Sequence, residues 1–399
     1  MEIFLVGGAV RDALLGLPVQ DRDWVVVGAT PEALVELGFV AVGKDFPVFL
    51  HPLTRDEFAL ARTERKTARG YRGFVIHADP DVTLEQDLAR RDLTINSIAA
   101  CARGDWLSEQ FDADFTSLTD PYGGQADLRA KVLRHVTDAF CEDPVRILRV
   151  ARFAARFADF SVAPETRALM QGMVQHGEVS ALVAERVWQE LARGLMEATP
   201  SRMLAVLHDC GALQALLPEL MPSAQSAQTW SQTLAMLDTA AGRTAPLPVR
   251  FACLSLAAGG LEASLQFSLR WRVPNDCREL AALVVRERAA IDAADTSDAA
   301  ALVGLLERCD AFRKPARFAD ALLACACASA AVDSPVRQAV LLGTYQQWRQ
   351  ALAAAQAVPT EPIARAAQAT GQGGREIGRA IAVQRVDAVR QRQVGADMN

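Results

Sequence analysis

The feature that most constrains the fold of this chain is a change of sequence pattern near residue 143. Before it, short apolar runs alternate with glycines and prolines, a punctuation that is typical of strands and tight turns. After it, nearly every segment is rich in Ala, Leu and Arg with the spacing of helices. We therefore predict an α+β fold, in which a head with a small mixed sheet is followed by an all-helical remainder.

The head divides into segments that the pattern identifies one by one. We predict strands at residues 3–6, 24–27, 47–51 and 57–61, and helices at residues 9–15, 31–37 and 84–100. Residues 102–118 are acidic and form, by this interpretation, an extended hairpin.

Composition limits the class of protein. The 399 residues are 51% hydrophobic and carry a net charge of −6, which counts mildly against a nucleic-acid partner, although a local patch can override the global sign. The eight cysteines lack metal-ligand spacing and are expected to be reduced. Neither a signal peptide nor a membrane span is indicated, so we expect a cytoplasmic protein with no membrane partner. The oligomeric state is left open.

Two carboxylates follow a glycine turn near the N-terminus. Asp21 and Asp23 are two residues apart, so on a strand they project from one face. Such pairs bind Mg²⁺ together with substrate phosphates. The turn at Gly7 and Gly8 lets backbone N–H groups approach an anion, and Arg11 lies one turn into the next helix. The stretch predicts a phosphate and metal site; the alternative is a solvated turn beside a tight bend.

The stretch RRDLTIN, residues 90–96, is a second constellation. In a helix, Asp92 and Asn96 share a face and can bond a ribose hydroxyl. Arg91 suits a triphosphate. The alternative is a surface helix held by salt bridges.

The stretch EDPVRILRVARFAAR, residues 142–156, is the third. Its four arginines are spaced three, three and four residues apart and form one positive helix stripe. Asp143 before Pro144 is typical of a helix N-cap. A solvated basic face is the alternative, but arginine without lysine favours planar recognition.

Together these motifs resemble the class II tRNA nucleotidyltransferases, the CCA-adding enzymes of the polymerase-β nucleotidyltransferase superfamily. The matching pieces, in chain order, are LVGGAVRD, DRDWVVV, RRDLTIN, DPYGGQADL, EDPVRILRVARFAAR and ERVWQE. GKDFPVFLHP and FALARTERKT are particularly similar to the bacterial branch. The resemblance is dense over residues 1–220 and faint beyond.

The resemblance implies template-independent addition of CCA to tRNA 3′ ends, and repair of those ends, from CTP and ATP. The reaction would need Mg²⁺ and release pyrophosphate, and the tRNA would be held by its acceptor stem and 3′ end. The alternatives are a poly(A) polymerase-like RNA adenylyltransferase and a noncatalytic RNA- or nucleotide-binding homologue. The acidic balance of the chain argues against the first, and the intact motif residues argue against the second.

The resemblance also implies roles for single residues. Asp21 and Asp23 would hold the catalytic metal, with Glu57 as a further candidate carboxylate. Asp143 and Arg146 match the pair that reads the incoming base. Nucleotide binding is implied for Gly8, Arg11, Arg91, Asn96, Asp143, Arg146 and Arg149. Glu185 and Arg186 match a neck motif that supports the base-reading helix.

The implied domains are a nucleotidyltransferase head at 1–137, a helical neck at 138–222 and a tRNA-binding body and tail at 223–399. Bacterial relatives often carry an HD phosphohydrolase domain after the neck. This chain has no histidine after His208, and RFACLSLAAGGLEASL stands where that motif belongs. We therefore expect a degenerate HD region without phosphohydrolase activity, and we interpret His208-Asp209 as a pair on a helix surface.

The stretch RTERKTARGYRGF, residues 62–74, holds five cationic side chains against one acid. It predicts a mobile basic loop that acts on primer or nucleotide during the switch from C to A. The alternative is a solvated connector.

Overall fold

The computed structural model describes residues 1–42, 48–66, 74–331 and 334–396. The centre of the basic loop predicted at 62–74 lies outside the described residues, as does the first half of GKDFPVFLHP. Among the described residues, no helix combines the length and the apolar character needed to cross a membrane.

The strands lie mostly in the head. In chain order they are β1 (Glu2–Val6), β2 (Asp23–Val27), β3 (Val40–Val42), β4 (Val48–Leu50), β5 (Glu57–Leu60), β6 (Thr63–Lys66), β7 (Phe74–His77), β8 (Ala99–Gly104), β9 (Phe111–Thr119), β10 (Val132–Leu133) and β11 (Ser161–Val162). Within the described residues, one sheet has the order β3-β4-β5-β2-β1-β8-β9. β2 and β5 are parallel, whereas β1 is antiparallel to β2 and β8. The predicted mixed sheet is confirmed.

Helices dominate the rest of the chain. They are α1 (Gly8–Leu14), α2 (Pro31–Glu36), α3 (Leu84–Ala89), α4 (Gly124–Ala130), α5 (Val145–Arg156), α6 (Pro164–Gln175), α7 (Ala184–Met196), α8 (Pro200–Asp209), α9 (Ala212–Leu216), α10 (Met221–Ala224), α11 (Ala227–Gly242), α12 (Leu247–Leu256), α13 (Leu261–Arg270), α14 (Asn275–Asp292), α15 (Ala299–Arg308), α16 (Pro315–Ala330), α17 (Pro335–Gln356), α18 (Thr360–Ala369) and α19 (Gly374–Ala396). Short 3₁₀ turns lie at Thr94–Asn96, Asp138–Glu142, Glu178–Ala181 and Pro218–Leu220.

The chain forms two compact units. Unit 1 comprises residues 1–194 and 202–216, and unit 2 comprises residues 195–201 and 217–399. Unit 1 therefore holds the predicted head and most of the predicted neck, while the finer division at residues 137 and 222 remains a prediction. In unit 2, α12 packs against α14 and α16 around fully buried side chains such as Phe251 and Phe318.

Side chains from β2, β5 and the β8–β9 hairpin form an aromatic cluster in unit 1. Trp24 stacks on Phe58 with ring centroids 5.8 Å apart, and Phe111 lies 4.9 Å from Trp24. His51 is fully buried in this cluster, where its Nε2 bonds the Trp106 carbonyl at 2.9 Å. The predicted hairpin over 102–118 thus contributes to the core.

The helix predicted at residues 84–100 is wrong beyond Ala89. The Thr94 amide donates to the Arg134 carbonyl at 2.9 Å, and the Asp92 carboxylate accepts from the next amide in the chain. The chain then enters β8, which pairs with β1. Tertiary pairing and a local side-chain bond therefore override the helical spacing of the apolar residues.

Candidate active site

A cavity of about 650 Å³ opens in unit 1 between the sheet, α1, α5 and α7. Its arginines are Arg11, Arg62, Arg90, Arg91, Arg146, Arg149, Arg152, Arg156, Arg186 and Arg193. Its carboxylates are Asp23, Glu57, Asp92, Asp143 and Glu190. Cations outnumber anions on this wall although the whole chain is acidic, so the cavity suits a polyanion.

The turn between β1 and α1 forms one wall. Gly7 has φ of +72°, a left-handed conformation that side chains disfavour. A Cβ built on Gly7 would lie 3.0 Å from Arg91 Nη1, so the arginine lies directly against bare backbone. The Nε of Arg91 is buried and finds no hydrogen-bond partner among the described residues. A guanidinium beside a turn without side chains suits phosphate oxygens.

Two of the predicted carboxylates, Asp23 and Glu57, line the same cavity, whereas Asp21 is not among the residues that line it. Asp23 is the first residue of β2 and pairs in register with Glu57 on β5, whereas Asp21 precedes the strand that was expected to carry it. Asp23 is exposed as a residue, but protein atoms crowd its carboxylate. This desolvation raises the pKa of Asp23, Arg91 opposes the rise, and Asp21 adds to it.

These carboxylates fit a hard divalent cation. Carboxylate oxygens are the ligands that Mg²⁺ prefers, and a pair of them leaves positions for substrate phosphates. In the described part of the chain, the one group of three potential ligands within 4.8 Å of one another is His77, Asp79 and Asp81. That group is exposed and does not line the cavity.

Hydrogen bonds link three predicted nucleotide-binding residues to one another through the carboxylate of Asp92. Arg11 Nη1 donates to Asn96 Oδ1 at 2.6 Å, and Asn96 Nδ2 donates to Asp92 Oδ1 at 3.0 Å. Arg149 Nε donates to Asp92 Oδ2 at 2.6 Å. Burial alone would raise the pKa of Asp92, but Arg149 and the bond from Asn96 hold it well below its usual range. Asp92 is therefore ionised at neutral pH.

The predicted base-reading pair lies at the start of α5. Asp143 accepts from Arg186 Nη1 at 3.0 Å and from Arg186 Nη2 at 2.7 Å, so α7 supports this residue as the neck motif implies. α5 begins at Val145, two residues after Asp143, yet Asp143 Oδ1 accepts from the Val145 amide at 3.2 Å. Arg146 donates to the carbonyls of Ala139 and Arg90.

Two acidic residues at the site, Glu190 and Asp12, had been given no role from the sequence, and they hold arginines of the predicted positive stripe. Arg152 Nε donates to the buried Glu190 at 2.7 Å, and the Phe153 ring lies 4.6 Å from the Arg152 guanidinium. Asp12 bonds both Arg11 and Arg156. The spacing of the arginine stripe includes Arg152, and Glu190 ends the ERVWQE motif, but Asp12 carries no periodic signal.

Comparison with known proteins agrees with this geometry. Residues 3–134 match the family described as "Poly A polymerase head domain", and residues 159–223 match "Probable RNA and SrmB- binding site of polymerase A". The chain is 59% identical to the Multifunctional CCA protein of Polaromonas naphthalenivorans (strain CJ2), over 99% of each sequence.

Solved structures share the fold. A CCA-adding enzyme in apo form II matches 99% of this chain and 92% of its own, with a TM-score of 0.69 at 21% identity. The Thermotoga maritima CCA-adding enzyme complexed with tRNA-CCA matches 100% of this chain and 92% of its own, with a TM-score of 0.66 at 21% identity.

The glycine turn and most of the mixed sheet lie within the residues that match the head-domain family. Together with the full-length relative, this match shows that the chain belongs to the family of bacterial CCA-adding enzymes and is an enzyme. Nucleotidyltransferases of this kind generally need a divalent metal ion.

Proposed function

We propose that this chain adds the CCA sequence to tRNA 3′ ends, and repairs such ends, from CTP and ATP without a nucleic-acid template. The observation that carries the proposal is the cavity of unit 1, where the glycine turn, Asp23 and the Asp143–Arg146 pair face one space. The full-length likeness to a CCA protein favours CCA addition over the poly(A) polymerase alternative, although the head-domain family is named for the latter. The cytoplasm is the compartment we assign.

In the reaction, the 3′-hydroxyl of the tRNA attacks the α-phosphate of the nucleotide, a new phosphodiester forms, and pyrophosphate leaves. We assign Asp21 and Asp23 to Mg²⁺, with Glu57 beside them on β5. The bound metal supplies charge neutralisation at the phosphates and activation of the attacking hydroxyl. The sheet holds Asp23 and Glu57 in register on β2 and β5, which limits their movement, and Asp21 precedes β2.

The triphosphate is held by the arginine-lined wall. Gly8 has no side chain at the start of α1, and Nη1 of Arg91 lies against the neighbouring Gly7, while Asp87 holds Nη2 of Arg91 at 3.0 Å. Arg11 and Arg149 reach the cavity from α1 and α5. Asn96 bonds Arg11 and faces the same cavity, which suits contact with the ribose. Planar guanidinium groups match phosphate oxygens in pairs, which fixes the orientation of the nucleotide.

Base choice is assigned to Asp143 and Arg146. Cytosine and adenine both present an amino donor beside a ring-nitrogen acceptor. A carboxylate accepts from the first group and a guanidinium donates to the second. Uracil and guanine present the reverse pattern, so their groups would stay unpaired in a desolvated site, which discriminates against them.

The remaining helices form the tRNA-binding part of the proposal. We assign residues 1–137 to chemistry, 138–222 to the base-reading neck and 223–399 to contacts with the tRNA. Double-stranded RNA is recognised mainly through backbone and shape. The long helices α14, α17 and α19 offer the extended surfaces that such recognition needs.

The test is incorporation of labelled CTP and ATP into tRNA that lacks its 3′ end, with Mg²⁺ present. Asp21→Ala and Asp23→Ala should each lower the rate by about a hundredfold to a thousandfold, because charge stabilisation at the phosphates is lost. Their melting temperatures should stay near that of the wild type, since both residues are exposed. Asp79→Ala, in the exposed group outside the cavity, is the matched control and should retain activity. A folded Asp21→Ala/Asp23→Ala protein with near-normal incorporation would rule out the metal assignment.

A further inference from the structure

We propose that Asp12 is a positioning residue for nucleotide binding, because it ties Arg11 on α1 to Arg156 on α5 and thereby fixes the angle of the Arg11 guanidinium. The inference deepens the proposed function, since it rests on Arg11 as a contact of the triphosphate. Asp12 itself does not line the cavity, whereas both arginines do.

Both carboxylate oxygens of Asp12 are in use. Oδ1 accepts from Arg11 Nε at 2.9 Å and lies 2.8 Å from Arg11 Nη2. Oδ2 accepts from Arg156 Nη2 at 2.8 Å. The third nitrogen of Arg11, Nη1, donates to Asn96 at 2.6 Å. The guanidinium of Arg11 is therefore held along one edge by Asp12 and at its far nitrogen by Asn96.

Two aromatic rings complete the support of Arg11. Its guanidinium carbon lies 5.0 Å from the centroid of Phe153 on α5 and 5.3 Å from that of Phe157, which directly follows α5. Such contacts favour a cation over a ring face. Since Asp12 reaches Arg156 on the same helix, α1 and α5 are joined through the carboxylate and through the rings. Residues from two motifs that are far apart in sequence thus orient one guanidinium.

Because the Arg11 guanidinium is buried, it needs the Asp12 carboxylate as a counter-charge. Arg11 is 3% exposed and Asp12 is 7% exposed, so the pair is largely withdrawn from water. A buried guanidinium without an anion costs free energy, and an anion in contact both neutralises it and sets its plane. A carboxylate that only neutralised charge would affect stability alone. A carboxylate that sets the plane would also affect the affinity for a ligand that the guanidinium must meet in pairs of hydrogen bonds.

The test compares Asp12→Asn with Asp127→Asn by steady-state kinetics and thermal unfolding. Asp127 is also 7% exposed and accepts from Arg134 and Thr94, but it does not line the cavity. In Asp12→Asn, an NH₂ group replaces one carboxylate oxygen. With this group opposite Arg156, the hydrogen bond from Arg156 is lost, and so is the negative charge beside Arg11. We expect the KM for both CTP and ATP to rise about tenfold while kcat changes less than about twofold. The KM for tRNA should not change, and Asp127→Asn should lower only the melting temperature. An unchanged nucleotide KM in folded Asp12→Asn, or an equal rise in Asp127→Asn, overturns the proposal.

Arg11→Lys separates this inference from the assignment of Arg11. If Arg11→Lys leaves the nucleotide KM unchanged, the triphosphate contact itself is wrong. If Arg11→Lys raises KM and Asp12→Asn does not, only the positioning role is wrong. The double variant should be no worse than Arg11→Lys by more than about twofold, because Asp12 acts through Arg11. Should Asp12→Asn fail to fold, Asp12→Glu carries the same test: its charge remains but its oxygens move, so an unchanged KM would contradict positioning.

Discussion

Asp143 illustrates, at the scale of single residues, how one side chain serves both the fold and the site. Its two oxygens accept from Arg186, and one of them also accepts from the Val145 amide at the start of α5. A carboxylate that caps a helix contributes about 1 kcal/mol to stability. A loss of activity after substitution is therefore ambiguous by itself, and base selectivity is the property that separates the two roles.

We predict that Asp143→Ala lowers the preference for CTP over UTP by about tenfold or more, because the acceptor that distinguishes the two bases is removed. Asp143→Asn keeps an oxygen for the Val145 amide but replaces the second acceptor with a donor. It should retain more stability than Asp143→Ala and still lose selectivity. The measurement is kcat/KM for CTP and UTP on tRNA lacking its 3′ end, beside melting temperatures. An unchanged ratio with a lowered melting temperature would leave Asp143 as a cap only.

The sequence predicted which residues line the cavity of unit 1 better than it predicted their contacts with one another. Arg11, Asn96 and Arg149 come from three separate motifs, and the structure places them in one network through Asp92. Asp12 could not be predicted, because an acid next to an arginine in a helix resembles a surface ion pair until its burial is known. Burial is a tertiary property, and no local spacing encodes it.

At the scale of elements, the pairing of strands determined the secondary structure of a segment for which the spacing of apolar residues predicted a helix. β1, β2 and α1 follow from β-branched runs and glycine punctuation, and these elements form as predicted. Residues 90–100 carry apolar side chains at helical intervals, yet their last part is β8, because β1 offers a free edge for pairing. The turn before α1 is the element whose geometry matters most for the cavity.

Two glycines at the ends of α1 allow a matched test of that turn. Gly7 and Gly16 have φ of +72° and +68°, so alanine is strained at both. A Cβ at Gly7 would meet Arg91 Nη1 at 3.0 Å, whereas a Cβ at Gly16 meets nothing within 4 Å. We predict that each Gly→Ala variant loses about 1 kcal/mol or more of unfolding free energy. Only Gly7→Ala should also raise the nucleotide KM, by about fivefold or more, because Arg91 is displaced. Equal kinetics in the two variants would contradict a role for the turn in phosphate binding.

At the scale of the whole molecule, the distribution of charge matters more than its sum. The net charge of −6 counted against a nucleic-acid partner, yet arginines converge on one cavity of unit 1. The global sign is a weak guide because the field that a ligand meets is local. The two units also differ in chemistry. Unit 1 carries the convergent charged groups, and in the described part of unit 2 no three potential metal ligands lie within 4.8 Å of one another.

This contrast leads to a prediction about a second activity. The full-length relative is named a multifunctional protein, but the segment of this chain where a phosphohydrolase motif belongs reads RFACLSLAAGGLEASL. Leu256 and Ala257 from that segment line a cavity of about 140 Å³ whose described wall includes Ser223 and Arg288 but no imidazole or carboxylate. His208, the last histidine, lies in unit 1 on α8, with Nδ1 3.9 Å from Asp209 Oδ1 and a half-exposed side chain.

We therefore predict no phosphohydrolase turnover above the blank, because hydrolytic centres that recruit transition metals need imidazole and carboxylate ligands that converge on the ion. The measurement offers 2′,3′-cyclic nucleotides and p-nitrophenyl phosphate to the purified full chain, with Ni²⁺, Mn²⁺ or Co²⁺ added. CCA addition by the same preparation is the control for correct folding. Asp21→Ala identifies the source of any phosphohydrolase turnover. By the proposed assignment it removes a metal ligand of the site in unit 1, and it changes no residue of unit 2. Turnover that disappears with Asp21→Ala would belong to the nucleotidyltransferase centre, whereas robust turnover that survives it would reveal a second active site that the ligand chemistry of unit 2 does not predict.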